Sequence, residues 1–498
     1  MKKNNKEYIV VFFILLIITN IIFLPFLSGH MSTDSYSIFN NGYEKYTLSK
    51  SLIDGRIFIG MQTMIMEYLH IPIEVYTVIS LEIALIISCI VIIVLAKTFL
   101  DIKNTEKLSS KILLYVAAYY TIFNVMYIEN LYYIEASFMA LSILLYILAA
   151  KALVNKRKMY LIKSFILLTL GIMSYQGTIS IFFLTIVMLA ICKEQSLKEI
   201  IKAIIKAVVI ALLGILVNNL EIILIENIYQ IHQERGFSSF TSIIENIMFI
   251  FANLKNIIIY TGGYLPLGSY IIFVLILEIL IFIKIKKQND IKNDFNNKKI
   301  LIQQIAIILG GILFSCVVSI ISTSALLSGR LRFSMGAIIG FMFIHLWVKT
   351  DFAENSKDVL NKILIVTLII YGIVNSINYV WVMLDSKMVA EDDKREAIRI
   401  QEEVGKYEQE NQIQITKIAV VVKLGQTEKA YYPNTFYKNF VTHSALKTEW
   451  SIVGCYNYYT GEKLEEYKPT DDEINEYLEK EQDYLCVGDT LYITAYMY

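Results

Sequence analysis

The sequence predicts an all-α polytopic membrane domain followed by a small α/β domain, and three observations carry that prediction. The 498-residue chain is 56% hydrophobic and 18% charged, against about 25% charged for an ordinary soluble protein. Apolar runs of about 20 residues recur along it, and that length of helix crosses the roughly 30 Å hydrocarbon layer. Beyond residue 385 the runs stop, giving way to a charged stretch and then to alternating and apolar β-type segments.

Eleven spans are expected, at 8–28, 73–96, 111–127, 132–150, 159–174, 177–192, 205–225, 264–284, 301–323, 333–349 and 360–382. The first is too long for a signal-peptide core and has no small-residue cleavage site behind it, so it reads as a retained helix. The fifth and sixth are short and joined by "SYQG", as one hairpin or one broken element. Residues 240–260 mix Glu245, Asn246, Asn253 and Lys255 with aliphatics, a pattern that suits a helix lying in the interface. The membrane domain is then 1–385, with surface helices in its first long loop, 29–72. Within the tail, 386–498, "AEDDKREAIRIQEEVGKYEQEN" reads as a charged helix. "QITKIAVVVKL" and "DTLYITAYMY" read as strands of a small sheet.

Lysine and arginine fix the expected orientation. With the N-terminus in the cytoplasm, the segments on that side carry 25 of them and the opposite loops carry 7, a strong positive-inside bias. The first loop and the C-terminal domain are therefore expected outside the cell membrane. The net charge is zero, so nothing in the bulk electrostatics calls for nucleic acid. Cys89, Cys192 and Cys316 sit in apolar runs, while Cys455 and Cys486 lie in the tail, where an oxidising compartment would let them pair. Neither CxxC nor HExxH spacing occurs, so a structural zinc site is not expected.

The outer loops collect the chemistry. Asp34 lies a few residues past the first span, at the level of the headgroups. Glu44, Asp54 and Arg56 follow it, with Tyr36 and Tyr43 interspersed. A second loop brings Glu129 and Glu135. Others bring Tyr175 and Gln176, then Arg235, then Arg330 and Arg332. Arginine pairs at headgroup level suit a lipid phosphate through bidentate hydrogen bonds. A carboxylate there could act as general base on an acceptor hydroxyl. The plainer alternative is an anchoring segment with solvated charges and snorkelling arginines. Glu82, Glu221 and Glu278 lie in or near the ends of spans and are functional suspects for that reason.

In three places the chain resembles the bacterial Gtr-type glucosyltransferases, polytopic enzymes of the GT-C class that decorate surface polysaccharides. They are Asp34 through "DGR" at 54–56, "SYQG" at 174–177, and the arginine-bearing "SGRLRF" loop. The resemblance implies an inverting transfer of a hexose, glucose in that family, from a polyprenyl-phosphate donor on the outer face. Asp34, Glu44, Asp54 and Glu135 are then the candidate catalytic carboxylates. Arg56, Arg235, Arg330 and Arg332 become candidates for the donor phosphate, and Tyr36, Tyr43, Tyr175 and Gln176 candidates for substrate contacts. The acceptor would be a surface polysaccharide, or teichoic acid in a Gram-positive cell. A polyprenyl-phosphate sugar synthase and a small flippase would be companions. Family members often carry two adjacent acids where this chain has Asp34 and Ser35; the departure speaks against a metal-bridging acid pair and for a single carboxylate as the base, with a divalent cation left open as a cofactor. A polysaccharide polymerase or ligase, and a flippase or transporter of polyprenyl-linked sugar, are the competing classes.

Overall fold

The computed structural model describes residues 2–231, 240–259, 263–265, 268–287, 294–322, 327–350, 358–480 and 482–497. The helices begin with α1 (Lys2–Leu27), α2 (Thr33–Tyr46), α3 (Ile57–Tyr68), α4 (Ile73–Leu100) and α5 (Leu108–Ile122). Next come α6 (Tyr127–Tyr132), α7 (Ala136–Asn155), α8 (Tyr160–Ser174), α9 (Ser180–Cys192) and α10 (Leu197–Tyr229). The short α11 (Phe240–Ala252) and α12 (Leu254–Ile258) precede α13 (Ser269–Lys287), α14 (Asp294–Ser315) and α15 (Val317–Ile321). The membrane part closes with α16 (Phe333–Gly336), α17 (Ile338–Lys349) and α18 (Val359–Asn411).

Among the described residues six helices are long and apolar enough to cross a membrane: α1, α4, α7, α10, the stretch Lys298–Ile321, and α18. Several expected spans are shorter than a bilayer requires. The run at 111–127 breaks because Asn124 turns its side chain onto the backbone, donating to Thr121 O at 2.9 Å and accepting from Met126 N at 3.1 Å. Such local bonds compete with helix continuation. Asn375 and Tyr379 of α18 then take the freed carbonyls of Phe123 and Asn124. The "SYQG" segment separates α8 from α9 by a 3-10 turn, Gln176–Thr178. The stretch expected in the interface forms α11 and α12.

The chain was divided above at 385, yet α18 runs through that point without a break, 53 residues from apolar to charged sequence. At its far end lie β1 (Lys417–Leu424), α19 (Ile452–Thr460), β2 (Glu465–Tyr467), α20 (Asp471–Glu479), β3 (Tyr484–Val487) and β4 (Thr490–Met497). The sheet order is β2-β1-β4-β3, with β1 parallel to both neighbours and β3–β4 an antiparallel hairpin. Strand alternation divides the core between two faces. Ile418, Leu491, Ile493 and Ala495 meet α18 and α19, while Ala419, Val421 and Tyr492 meet α20. Cys455 on α19 and Cys486 on β3 are free thiols.

Two surface helices, α2 and α3, fill the first loop. Ser32 caps α2 in a reciprocal box with Ser35, whose amide donates to Ser32 Oγ at 3.2 Å while Ser32 N donates to Ser35 Oγ at 3.1 Å. Ser35, standing where a second acid was expected, is thus the partner that starts the helix carrying Asp34.

Candidate functional site

The side chains that converge come from six separated segments. Asp34 lies in the first turn of α2, where the helix N-terminus favours an anion. Lys50 sits in a π-helical turn, Thr47–Leu52, and its Nζ is 3.3 Å from Asp34 Oδ1. Arg56 follows a tight turn in which Gly55 takes φ +69°. A Cβ at Gly55 would lie 2.6 Å from the Asn218 amide, so a larger residue meets both strain and a clash.

Two amides hold that turn. Asn218 of α10 donates to Gly55 O at 2.7 Å, and Gln176 donates to Asp54 O at 2.8 Å and to Asn218 Oδ1 at 3.2 Å. The result aims the Arg56 guanidinium. Its Nη1 donates to both oxygens of Glu135 at 3.1 Å, and its Nη2 stands 3.3 Å from Asp54 Oδ2. Tyr46 adds a hydroxyl to Glu135 at 3.0 Å, and the Tyr175 ring lies 5.2 Å beneath the guanidinium. The Nε of Arg56 is buried without a hydrogen-bond partner.

A second pair mirrors the first. Arg330 sits in the 3-10 turn Gly329–Leu331. Its Nε is 3.3 Å from Glu129 Oε1, and its backbone amide donates to Glu129 Oε2 at 3.3 Å. Tyr264 also donates its hydroxyl to Glu129, and the guanidinium lies 4.5 Å over the Tyr133 ring. Glu129 is fully buried. A Cβ on Gly329 would press on both Tyr264 and Glu129, so glycine is what lets this turn close onto the carboxylate.

Asp34 lies in the field of all three cations. Burial pushes its carboxyl upward, but the charges of Lys50, Arg330 and Arg56 outweigh that and hold it below the usual carboxylate range. Burial weighs against the charge on both arginines, and their carboxylate and tyrosine neighbours outweigh it, so each stays firmly protonated. Burial also raises the phenols of Tyr46, Tyr133 and Tyr175, which remain hydroxyl donors. Together these groups put one carboxylate in the field of an ammonium and two guanidiniums, each guanidinium paired with a glutamate.

Of the residues singled out from sequence, Asp34, Asp54, Arg56, Glu129, Glu135, Tyr175, Gln176 and Arg330 come together. Gln176 spends its donors on backbone and on Asn218, so it positions the turn. The others go elsewhere. Tyr36 meets the Tyr459 hydroxyl at 2.5 Å in the C-terminal domain, and Tyr43 donates to Ile71 O at 2.9 Å. The Glu44 side chain is exposed. Arg332 turns into its own loop, donating to Leu327 O at 2.8 Å and Ser328 O at 3.3 Å, and burial lowers its pKa. Arg235 lies outside the described residues.

Lys50, Tyr133, Tyr264 and Asn218 were not singled out. Asn218 left a signal in "VNNLE", two amides and an acid inside an apolar run. Of the span-end acids, Glu82 accepts from Asn20 at 3.4 Å, and Glu221 accepts from Asn218 at 3.4 Å beside the cluster. Both oxygens of Glu278 are buried without a hydrogen-bond partner. Among the described residues no group of three His, Cys, Asp or Glu side chains is arranged to hold a metal ion.

No protein-family model matches the chain, nor does any curated protein or solved structure.

Proposed function

We propose that the chain is an inverting membrane glycosyltransferase of the Gtr type, moving a hexose from a polyprenyl-phosphate donor to a cell-surface polysaccharide or teichoic acid. The observation that carries this reading is Asp34, a carboxylate 3.3 Å from the Lys50 ammonium and in the field of Arg56 and Arg330, which together hold it below the usual carboxylate range. The acceptor hydroxyl attacks the anomeric carbon from the face opposite the phosphate and forms the new C–O bond. Asp34 takes its proton. The bond from the anomeric carbon to the phosphate oxygen breaks with its electron pair on oxygen, and the two guanidiniums meet the charge that develops there. Because Glu129 and Glu135 already balance the arginines, the site need not hold free positive charge before the donor arrives. The partnerless Nε of Arg56 is a donor suited to a phosphate oxygen.

Position supports the same reading. The cluster gathers at the starts of α4 and α7, and the lysine-rich segments follow their other ends. Lysine bias puts those segments in the cytoplasm and the cluster outside. Impermeant-thiol labelling of a cysteine at Glu44 on intact cells checks this, and absence of labelling would overturn the orientation.

The deciding assay follows free polyprenyl phosphate released by purified protein with and without acceptor. A transferase releases it only with acceptor, a flippase releases none, and a polymerase or ligase would require diphosphate-linked substrate. Asp34→Asn keeps shape but cannot take a proton, so turnover should fall by about 10²–10⁴ with donor binding retained. Wild-type turnover in Asp34→Asn would remove Asp34 from the role.

A further inference from the structure

The tail carries a run of aromatic rings, most of which the fold consumes. Tyr432 donates to Asp393 at 2.8 Å, Tyr437 and Tyr456 are buried, Tyr458 packs edge-on to Phe39, and Tyr459 meets Tyr36. Trp450 differs. It is 40% exposed and stands on a corner whose flanking residues are hydrogen-bonded in place. Thr448 Oγ1 donates to Ser444 O at 2.8 Å, Ser451 Oγ donates to Ala445 O at 2.7 Å, and Ala445 N donates to Asp393 Oδ2 at 2.8 Å. With the backbone on either side tied down in this way, the indole stays open to solvent and forgoes burial that a small domain would ordinarily use.

Its location relative to Asp34 is also fixed. Helix α19, which begins two residues after Trp450, lies directly on α2. A Cβ at Gly454 would fall 1.9 Å from Tyr36 O, so the two backbones touch. Asn457 donates to Asn40 at 2.9 Å across the same contact. Lys50 completes the link, with Nζ 3.3 Å from Asp34 Oδ1 and 5.3 Å from the centroid of the indole. The ring therefore lies within one or two sugar lengths of the carboxylate, and one ammonium touches both.

We propose that Trp450 is a stacking platform for the acceptor saccharide, so that the C-terminal domain supplies the acceptor side of the Asp34 site. This rests on the transferase reading above and adds to it which surface receives the acceptor. A pyranose presents a face of C–H bonds that packs on an indole, while its hydroxyls stay free to meet Lys50 and Asp34. Lys50 keeps its ammonium on the indole and carboxylate side, and the exposed part of the ring is left to the sugar.

The test uses full-length protein in detergent and, as probe, short glycan fragments released from the surface polysaccharide of the source cells. Binding is read from tryptophan emission and from direct affinity measurement. Wild-type protein should bind the fragments with a change in emission, and Trp450→Ala should bind about tenfold more weakly or worse. Trp450→Phe, which keeps a ring, should recover much of the affinity. In turnover, Trp450→Ala should raise the acceptor KM with little change in kcat. Asp34→Asn should still bind the fragments, so binding without transfer separates this proposal from the catalytic one. Equal affinity in wild type and Trp450→Ala would overturn it and leave the indole as an interfacial anchor. Wild-type protein that transfers sugar yet shows no fragment binding would overturn it as well.

Discussion

Arg56 and Arg330 both act on Asp34 through their charge, and each is paired with a glutamate and lies over a tyrosine ring, but the chain holds them by different means. Arg56 sits on a turn that two side-chain amides clamp from α10 and the 176 turn, and its charge is balanced by both Glu135 and Asp54. Arg330 sits on a 3-10 turn tied through backbone, with its ion pair to one fully buried carboxylate. The first arrangement divides its ion pairing between two acids; the second makes its ion pair with Glu129. Redundancy of partners, more than distance, should therefore govern how each pair responds to mutation.

The largest contrast is expected at the two glutamates. Glu129→Leu strands a buried guanidinium and removes the acceptor for the Tyr264 hydroxyl, a loss of about 3–5 kcal/mol. Glu135→Leu leaves Arg56 paired with Asp54 and should cost clearly less. Thermal unfolding in detergent reads both. Equal losses would mean that the second acid at Arg56 contributes nothing.

A middle-sized effect is expected on donor affinity. Arg56→Lys and Arg330→Lys keep charge but lose the planar fork, at about 1.5–3 kcal/mol each, or roughly ten- to a hundredfold. Arg332→Lys should change the stability of its loop and leave donor affinity near wild type, because that guanidinium faces carbonyls of its own turn. Donor titrations of the three variants would reverse this assignment if Arg332→Lys were the weakest binder.

The smallest effect concerns pH. Burial raises the Asp34 carboxyl, and Lys50, Arg330 and Arg56 together depress it below the usual carboxylate range. A depressed carboxyl contributes stability above its ordinary pKa that disappears as pH falls through the folded value. The acid limb of kcat/KM should likewise lie below the ordinary carboxylate value. Lys50→Met removes one of the three cations, so the limb should move to higher pH while both arginine pairs stay intact. An unmoved limb would mean that another group sets it.

Much of this site was legible in the sequence because its charged residues sit where charge is scarce. Asp34, Arg56, Glu135 and Arg330 stand out against apolar neighbours and short loops. Helix lengths were less legible, since hydropathy is blind to side-chain amides that end a helix from within, as Asn124 does. The α18 boundary was missed for a related reason: composition changes near 385 but helix propensity does not, and the backbone has no cause to stop. Tyr36 and Tyr43 were placed at the site because spacing along a surface helix does not reveal that the C-terminal domain covers Tyr36 or that Tyr43 turns to Ile71. Arg332 was grouped with Arg330 because adjacency in a loop says nothing about which way each side chain turns.

The uninterrupted course of α18 has a mechanical consequence. A helix of 53 residues is about 80 Å long, so it acts as a shaft joining the bilayer to the sheet, with height and angular setting both determined by residue count. Each residue inserted into it would rotate everything beyond by about 100° and lift it by about 1.5 Å. A single insertion near residue 388 would swing α19 off α2, whereas an eighteen-residue insertion would restore the azimuth but raise the domain by five turns. Trp450 and Asp34 can share a substrate only while that shaft keeps its native length.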